Sequence, residues 1–186
     1  MVRGESATST ETDLAILDAM ATAAAFENRA AFRKVNAAAF VWDAWLERDA
    51  QLGVDDIVDC GNNALAEIAV RLGCSKTMAE NFATVGMDLR LRLPLVREVF
   101  AAGMLDYARV SKICRATCGF RQATVDAAVR DIVAAAASLS PGPLGAAIDQ
   151  ILTRIAPEEV AERRIEATRF RKLRKRRDGD LGVSKR

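Results

Sequence analysis

Four cysteines and a spread of carboxylates are the side chains here with the clearest chemical capacity, and the chain has no histidine at all. Cys114 and Cys118 are four apart, on one face of a helix, and with Cys60 and Cys74 would make four thiolates. Structural zinc sites favour short knuckles such as C-x₂-C, a spacing this set lacks. In a reducing cytoplasm such cysteines behave as small buried hydrophobes. The missing histidines exclude Ser-His, Cys-His and His-metal chemistry. Neither G-x-x-x-x-G-K-[ST] nor G-x-G-x-x-G occurs, so no phosphate-cradling loop is encoded. The Asp and Glu residues fall in patterns of solvated helix surface. The expectation is a protein with no catalytic residue, no metal, no cofactor and no small-molecule substrate, and so not an enzyme.

A second kind of chemistry is written in AEIAVRLGCSKTMAENF, residues 66–82. A helix-turn-helix needs a small residue where two helices cross, a residue able to turn between them, and apolar residues on the inner faces. Ala69 is the small residue. Gly73, four later, takes positive φ at low cost. Ser75 can cap the second helix through its hydroxyl. Ile68, Leu72, Ala79 and Phe82 supply the inner contacts. The second helix then turns Lys76, Thr77, Glu80 and Asn81 outward, toward a major groove if DNA binds there. The hairpin itself is neutral, since Arg71 and Lys76 offset Glu67 and Glu80, and Glu80 would repel phosphate.

The elements that must position this hairpin are helices. Hydrophobic residues make up 51% of the 186-residue chain, Ala dominates many segments, and strand-favouring residues are sparse. The fold class expected is all-α. No Pro or Gly interrupts residues 10–52. There Leu14, Leu17, Ala21, Ala24, Asn28, Ala31, Val35, Ala38, Trp42 and Trp45 alternate spacings of three and four, a heptad seam of a long helix that packs on its own domain or, alternatively, dimerises, in which case its polar member Asn28 would help fix register. Gly53 ends this helix. Further helices are expected at 64–72, with Asn63 as cap, and at 76–85, 94–102, 106–117, 121–138 and 143–155. SLSPGPLG is expected to be a turn. A last helix follows Pro157, and its APEEVAERR start places Pro and two Glu at the positive helix end.

Charge is unevenly spread. Residues 163–177 hold nine Lys or Arg and one Glu, a net of +8, so with the whole chain at +2 the first 162 residues carry −6. Residues 86–121 carry Arg90, Arg92, Arg97, Arg109, Lys112, Arg115 and Arg121 against three acids. The N-terminus has no apolar signal region, and no apolar run reaches the roughly 18 residues that span a bilayer. A cytoplasmic protein without membrane contact is expected.

Beyond the hairpin, DLRLRLPLVREVFAAGMLDYARVSKICRA is similar to the DNA-binding domain of plasmid- and chromosome-partitioning proteins, in which further helices brace a helix-turn-helix on DNA. More closely, the segment from AEIAVRLGCSK through LPLVREVFAAGMLDYARV, with LSPGPLGAAIDQIL and APEEVAERRIEATRFRK, resembles the actinobacterial domain of unknown function 222 of the thirteen-E-twelve repeat proteins. The likeness covers roughly residues 10–175. It implies a domain that precedes a C-terminal HNH endonuclease module and takes part in nucleic-acid binding or processing. The sequence stops at KLRKRRDGDLGVSKR, before any match to that module's histidines. The expectation is therefore that the catalytic module is missing, and no catalytic residue carries over.

The organisation expected is a disordered 1–10, a long helix over 11–52, a helical domain over 53–162 with the helix-turn-helix at 64–85, and a basic helix end and disordered tail over 163–186. The function expected is DNA binding. Ser75, Lys76, Thr77 and Asn81 would lie on the hairpin, Arg90 and Arg92 beside it, and Arg171, Lys172, Arg174, Lys175, Arg176 and Arg177 in the tail. Phosphate contacts from such groups give salt-dependent affinity. The alternatives are a structural protein that homodimerises through the N-terminal helix, or a nuclease remnant without activity.

Overall fold

The computed structural model describes residues 5–51, 61–166 and 168, and these are helical with short connections. In chain order the elements are α1 (Glu5–Gln51), α2 (Asn62–Leu72), α3 (Lys76–Leu91), α4 (Pro94–Ala101), α5 (Tyr107–Thr117), α6 (Gln122–Ser138) and α7 (Pro141–Ile155), followed by α8 over 157–166. No strand occurs among the described residues. The fold is all-α. Among the described residues no helix is long and apolar enough to cross a membrane.

α1 has 47 residues and so is about 70 Å long at 1.5 Å per residue. It begins at Glu5, inside the stretch expected to be disordered. Its two halves behave differently. From about Ala25 onward its inner face packs on α2, α3, α4 and α5. Val35, Ala38 and Ala39 are buried there, and Phe32 meets Phe100 of α4 edge-on with ring centroids 5.7 Å apart. Between residues 12 and 24 every side chain is exposed. The heptad seam is thus split: its second half is the internal face of the domain, and its first half projects beyond the body. Asn28 sits at the divide. Its amide donates to the Gly103 carbonyl at 2.9 Å, so the seam's polar member clamps the α4–α5 turn inside the chain.

α3 is the central helix. It runs through Gly86 to Leu91, past the end expected near residue 85, because Gly86 is a contact point rather than a break. An added Cβ there would fall inside hard-contact distance of the Val35 carbonyl oxygen and 2.8 Å from the Ala39 methyl. The smallest residue lets the two helix backbones touch. Leu93, Val96 and Phe100 then close the core from α4, and Val110, Ile113 and Cys114 close it from α5.

The second half of the domain is an α6–α7 pair packed on α5. Val125, Ala128, Ile132 and Ala136 recur every three or four residues along α6, and Leu144, Ile148 and Leu152 every four along α7. All are buried, as that periodicity requires. The SLSPGPLG segment is not wholly a turn. Ser140 is extended, and Pro141 opens α7 at its first position, where its missing N–H costs nothing.

α8 docks through one buried carboxylate. Glu159 accepts from the Arg121 backbone N–H at 2.6 Å and from the Thr124 hydroxyl at 2.7 Å. Those donors belong to the first turn of α6, whose own N-cap residue Arg121 makes no side-chain cap. Glu159 supplies the cap from a different helix. The Thr124 hydrogen bond, followed by those from Arg121, holds its carboxyl below the usual carboxylate range.

Candidate nucleic-acid interface

The α2–α3 hairpin is built by the residues that its sequence singles out. Gly73 ends α2 in the left-handed region, φ 58 and ψ 37, and its N–H reaches the Val70 carbonyl. The Cys74 N–H returns to the Ala69 carbonyl at 3.0 Å, which closes the turn. Ser75 is extended, and its hydroxyl accepts from the Met78 N–H at 3.2 Å. Inside, Leu65 and Ile68 of α2 meet Ala79, Phe82 and Ala83 of α3. Two expectations shift: Leu72, read as an inner contact, is exposed, and Gly61, not Asn63, is the N-cap of α2, with φ 76 and the Trp42 ring against it.

Because Ser75 is exposed and its role is local, its contribution can be isolated. Ser75→Ala should lower stability by about 1 kcal/mol, the usual worth of a helix cap. Chemical denaturation with an unchanged m-value would report that shift.

Lys76, Thr77, Glu80, Asn81 and Thr84 share one exposed face of α3. The Lys76 ammonium also meets the Asn62 side-chain oxygen. This face is polar and nearly neutral, and α3 has no acidic residue in its first turn. Leu91 continues it as an exposed apolar end.

Arg90 and Arg92 do not join this face. Arg90 turns back to α1, 2.6 Å from Asp43 and over the Phe40 ring, and the Asp43 hydrogen bond raises its pKa further. Arg92 is half-buried. It pairs with Asp88 at 3.2 Å and donates to the Thr117 carbonyl at 2.9 Å, which ties α3 to the end of α5. Arg109 is engaged in the same way by Asp106 and by the Leu139 carbonyl. Much of the positive charge counted over 86–121 therefore holds helices together. Arg171, Lys172, Arg174, Lys175, Arg176 and Arg177 lie outside the described residues.

The fold also forms a basic concavity of about 370 Å³ that the sequence does not announce. It opens between α5, α7 and α8, and Arg115, Arg163 and Arg164 line it with Phe120 and a single acid, Asp149. The Arg163 guanidinium stacks 4.1 Å from the centroid of the Phe120 ring and donates to the Cys118 carbonyl. Arg115 belongs to one basic stretch of the sequence, and Arg163 and Arg164 to another. Only the docking of α8 through Glu159 unites them, and nothing local in the sequence encodes that meeting.

The cysteines separate. Cys114 is buried, and burial pushes its thiol well above the ordinary range. Cys74 is half-buried in the hairpin turn and Cys118 is exposed. Cys60 lies outside the described residues. Among the described residues no group of three or more Cys, Asp or Glu is placed to hold a metal ion.

A family model described as Domain of unknown function (DUF222) matches residues 20–185. Comparison with curated proteins and with solved structures gives no match.

Proposed function

From the premise that the chain belongs to the DUF222 family, whose description assigns no activity, we propose that it is a non-catalytic nucleic-acid-binding domain with duplex DNA as its partner. The observation that carries this is the α3 face. Lys76, Thr77, Glu80, Asn81 and Thr84 are all left in solvent, at the end of a hairpin braced by α1 on its inner side. In this proposal the hairpin is a helix-turn-helix that sits in the major groove, with Thr77 and Asn81 as donors and Lys76 near phosphate. Glu80 limits the choice there to an acceptor role, such as contact with a cytosine amine.

Affinity comes from elsewhere. Arg115, Arg163 and Arg164 line a concavity at the head of the basic run 163–177. Phosphate contacts from that run give sequence-independent, salt-sensitive binding. The resemblance to the thirteen-E-twelve proteins extends the proposal: this domain delivers DNA to an HNH endonuclease module, and it hydrolyses nothing itself.

The test is a titration of duplex DNA at two salt concentrations with the full chain, a chain ending at Ala161, and Lys76→Glu with Asn81→Ala. The log–log salt slope should flatten by about 0.9 for every phosphate that is no longer neutralised. The truncated chain should neutralise several fewer phosphates than the full chain. The hairpin variant should neutralise about one fewer and show no preference among sequences. Absence of binding by the full chain at low salt would refute the proposal. Supercoiled plasmid incubated with Mg²⁺ or Mn²⁺ should stay intact, and metal-dependent nicking by the pure protein would overturn the non-catalytic assignment.

A further inference from the structure

The projecting half of α1 carries a large unpartnered apolar surface. Leu14, Ile16, Leu17 and Met20 are each more than half exposed. This arm is also acidic: Asp13, Asp18 and Glu27 lie on it, and residues 5–27 contain no Lys or Arg.

A matching surface lies further along the same helix. Between α1 and α2 runs a groove of about 380 Å³ with an apolar floor of Ala37, Ala38, Val41, Ile68 and Leu72. Lys34 and an Arg71–Glu67 pair at 3.3 Å stand at its rim. A chain cannot fill this groove with its own arm, because arm and groove are rigidly separated along one continuous helix. Met20 and Ala37 are about 25 Å apart on it at 1.5 Å per residue.

We infer that the groove is filled by the arm of a second copy, in a reciprocal antiparallel pairing of two α1 helices. The register is written on the exposed flank of α1. Ile16, Met20, Ala23, Glu27, Ala30 and Lys34 are spaced alternately by four and three, and Ala37 and Val41 continue the series. That is the repeat of a two-helix seam. Laid antiparallel about a centre between residues 28 and 29, it sets Ile16 opposite the second copy's Val41 and Met20 opposite its Ala37. Glu27 then comes to lie about one helical turn from the second copy's Lys34, twice by symmetry. The two-fold axis puts both bodies on the same side of the helix pair. Leu17 and Ala24, which face that side, therefore fall on the second copy's α2. The paired length from residue 16 to residue 41 is about 38 Å. A stable interface typically buries about 1,600 Å², and the exposed Leu14, Ile16, Leu17 and Met20 of two arms are the apolar surface that such a pairing covers.

The experiment uses the full chain. Sedimentation equilibrium should show a dimer at tens of micromolar. Met20→Glu should be monomeric there with unchanged helix content. Glu27→Lys and Lys34→Glu should each weaken association by about tenfold, the effect of two pairs turned to repulsion. An equimolar mixture of those two variants should recover it, because every cross-pair in the mixed dimer is again opposite in sign. A recovery of that kind separates pairing from damage to the fold. With Cys60, Cys74 and Cys118 replaced by serine, Met20→Cys combined with Ala37→Cys should crosslink between chains on oxidation, and Met20→Cys alone should not. A monomeric wild-type chain, a dimer indifferent to Met20→Glu, no recovery on mixing, or crosslinking by Met20→Cys alone would each overturn the inference.

Discussion

Gly86→Ala is expected to destabilise the protein by about 2–3 kcal/mol, at the upper part of the range for overpacking a filled core. Glycine to alanine inside a helix ordinarily stabilises, by up to about 1 kcal/mol of helix propensity. Here that gain is overwhelmed. The new methyl would meet the Val35 backbone oxygen and the Ala39 methyl, neither of which can swing aside as the end of a flexible side chain would. α1 and α3 must separate, and the most extensive helix–helix packing in the domain loosens with them. For a chain of this size about 2–4 °C of melting temperature is lost per kcal/mol, so a fall of roughly 5–10 °C is expected. Gly145→Ala is the control. Its added Cβ, inside α7, would come no nearer than 3.6 Å to the flexible Lys112 side chain, an ordinary contact, and its melting temperature should hold or rise slightly. Equal losses in the two variants would show that Gly86 is not a crossing point.

Glu159→Ala should release α8. Removal of the carboxylate leaves the Arg121 N–H and the Thr124 hydroxyl without their acceptor at the start of α6, a cost of about 1–3 kcal/mol. The loss should be local. Hydrogen exchange should quicken in α8 and the first turn of α6 while α1 and α3 keep their protection. Because α8 brings Arg163 to Phe120, the basic concavity should dissolve with it. Glu159→Gln keeps one acceptor oxygen and should fall between the two. Acid should mimic the substitution. The carboxyl's pKa is lowered in the fold, so its contribution is complete above the usual carboxylate value of 4.5 and is lost as pH falls through the depressed one. α8 protection should be constant at neutral pH and drop below about pH 4.5. Loss of protection at about pH 6 would contradict this account.

The parts of the molecule legible in the sequence are those set by local chemistry. Gly73 and Ser75 specify the hairpin turn within three residues, and the turn forms on them. Val125, Ala128 and Ile132 announce the buried face of α6 by their spacing alone. Proline is read less well. In SLSPGPLG it signals a break, yet Pro141 is a helix start, because the same fixed φ serves both. The hidden parts depend on partners distant in the chain. Gly86 looks like a helix terminator until α1 is laid against it. Arg90 and Arg92 look like free cations until Asp43, Asp88 and the Thr117 carbonyl take them up. Arg115 and Arg163 are 48 positions apart and meet only because Glu159 docks the helix that carries Arg163. A count of charges along a chain cannot tell a cation that binds a helix from one that awaits a ligand.

The dependence of α1 on α3 also sets an order of events during synthesis. Val35 emerges about 50 residues before Gly86, the residue that lets it pack. At about 5–20 residues per second, the inner face of α1 waits roughly 3–10 s for its first large partner. Asn28 waits longer, until Gly103 is made. Until α3 is made, α2, which precedes it in the chain, is the only other helix of the domain available to cover the apolar stripe of α1.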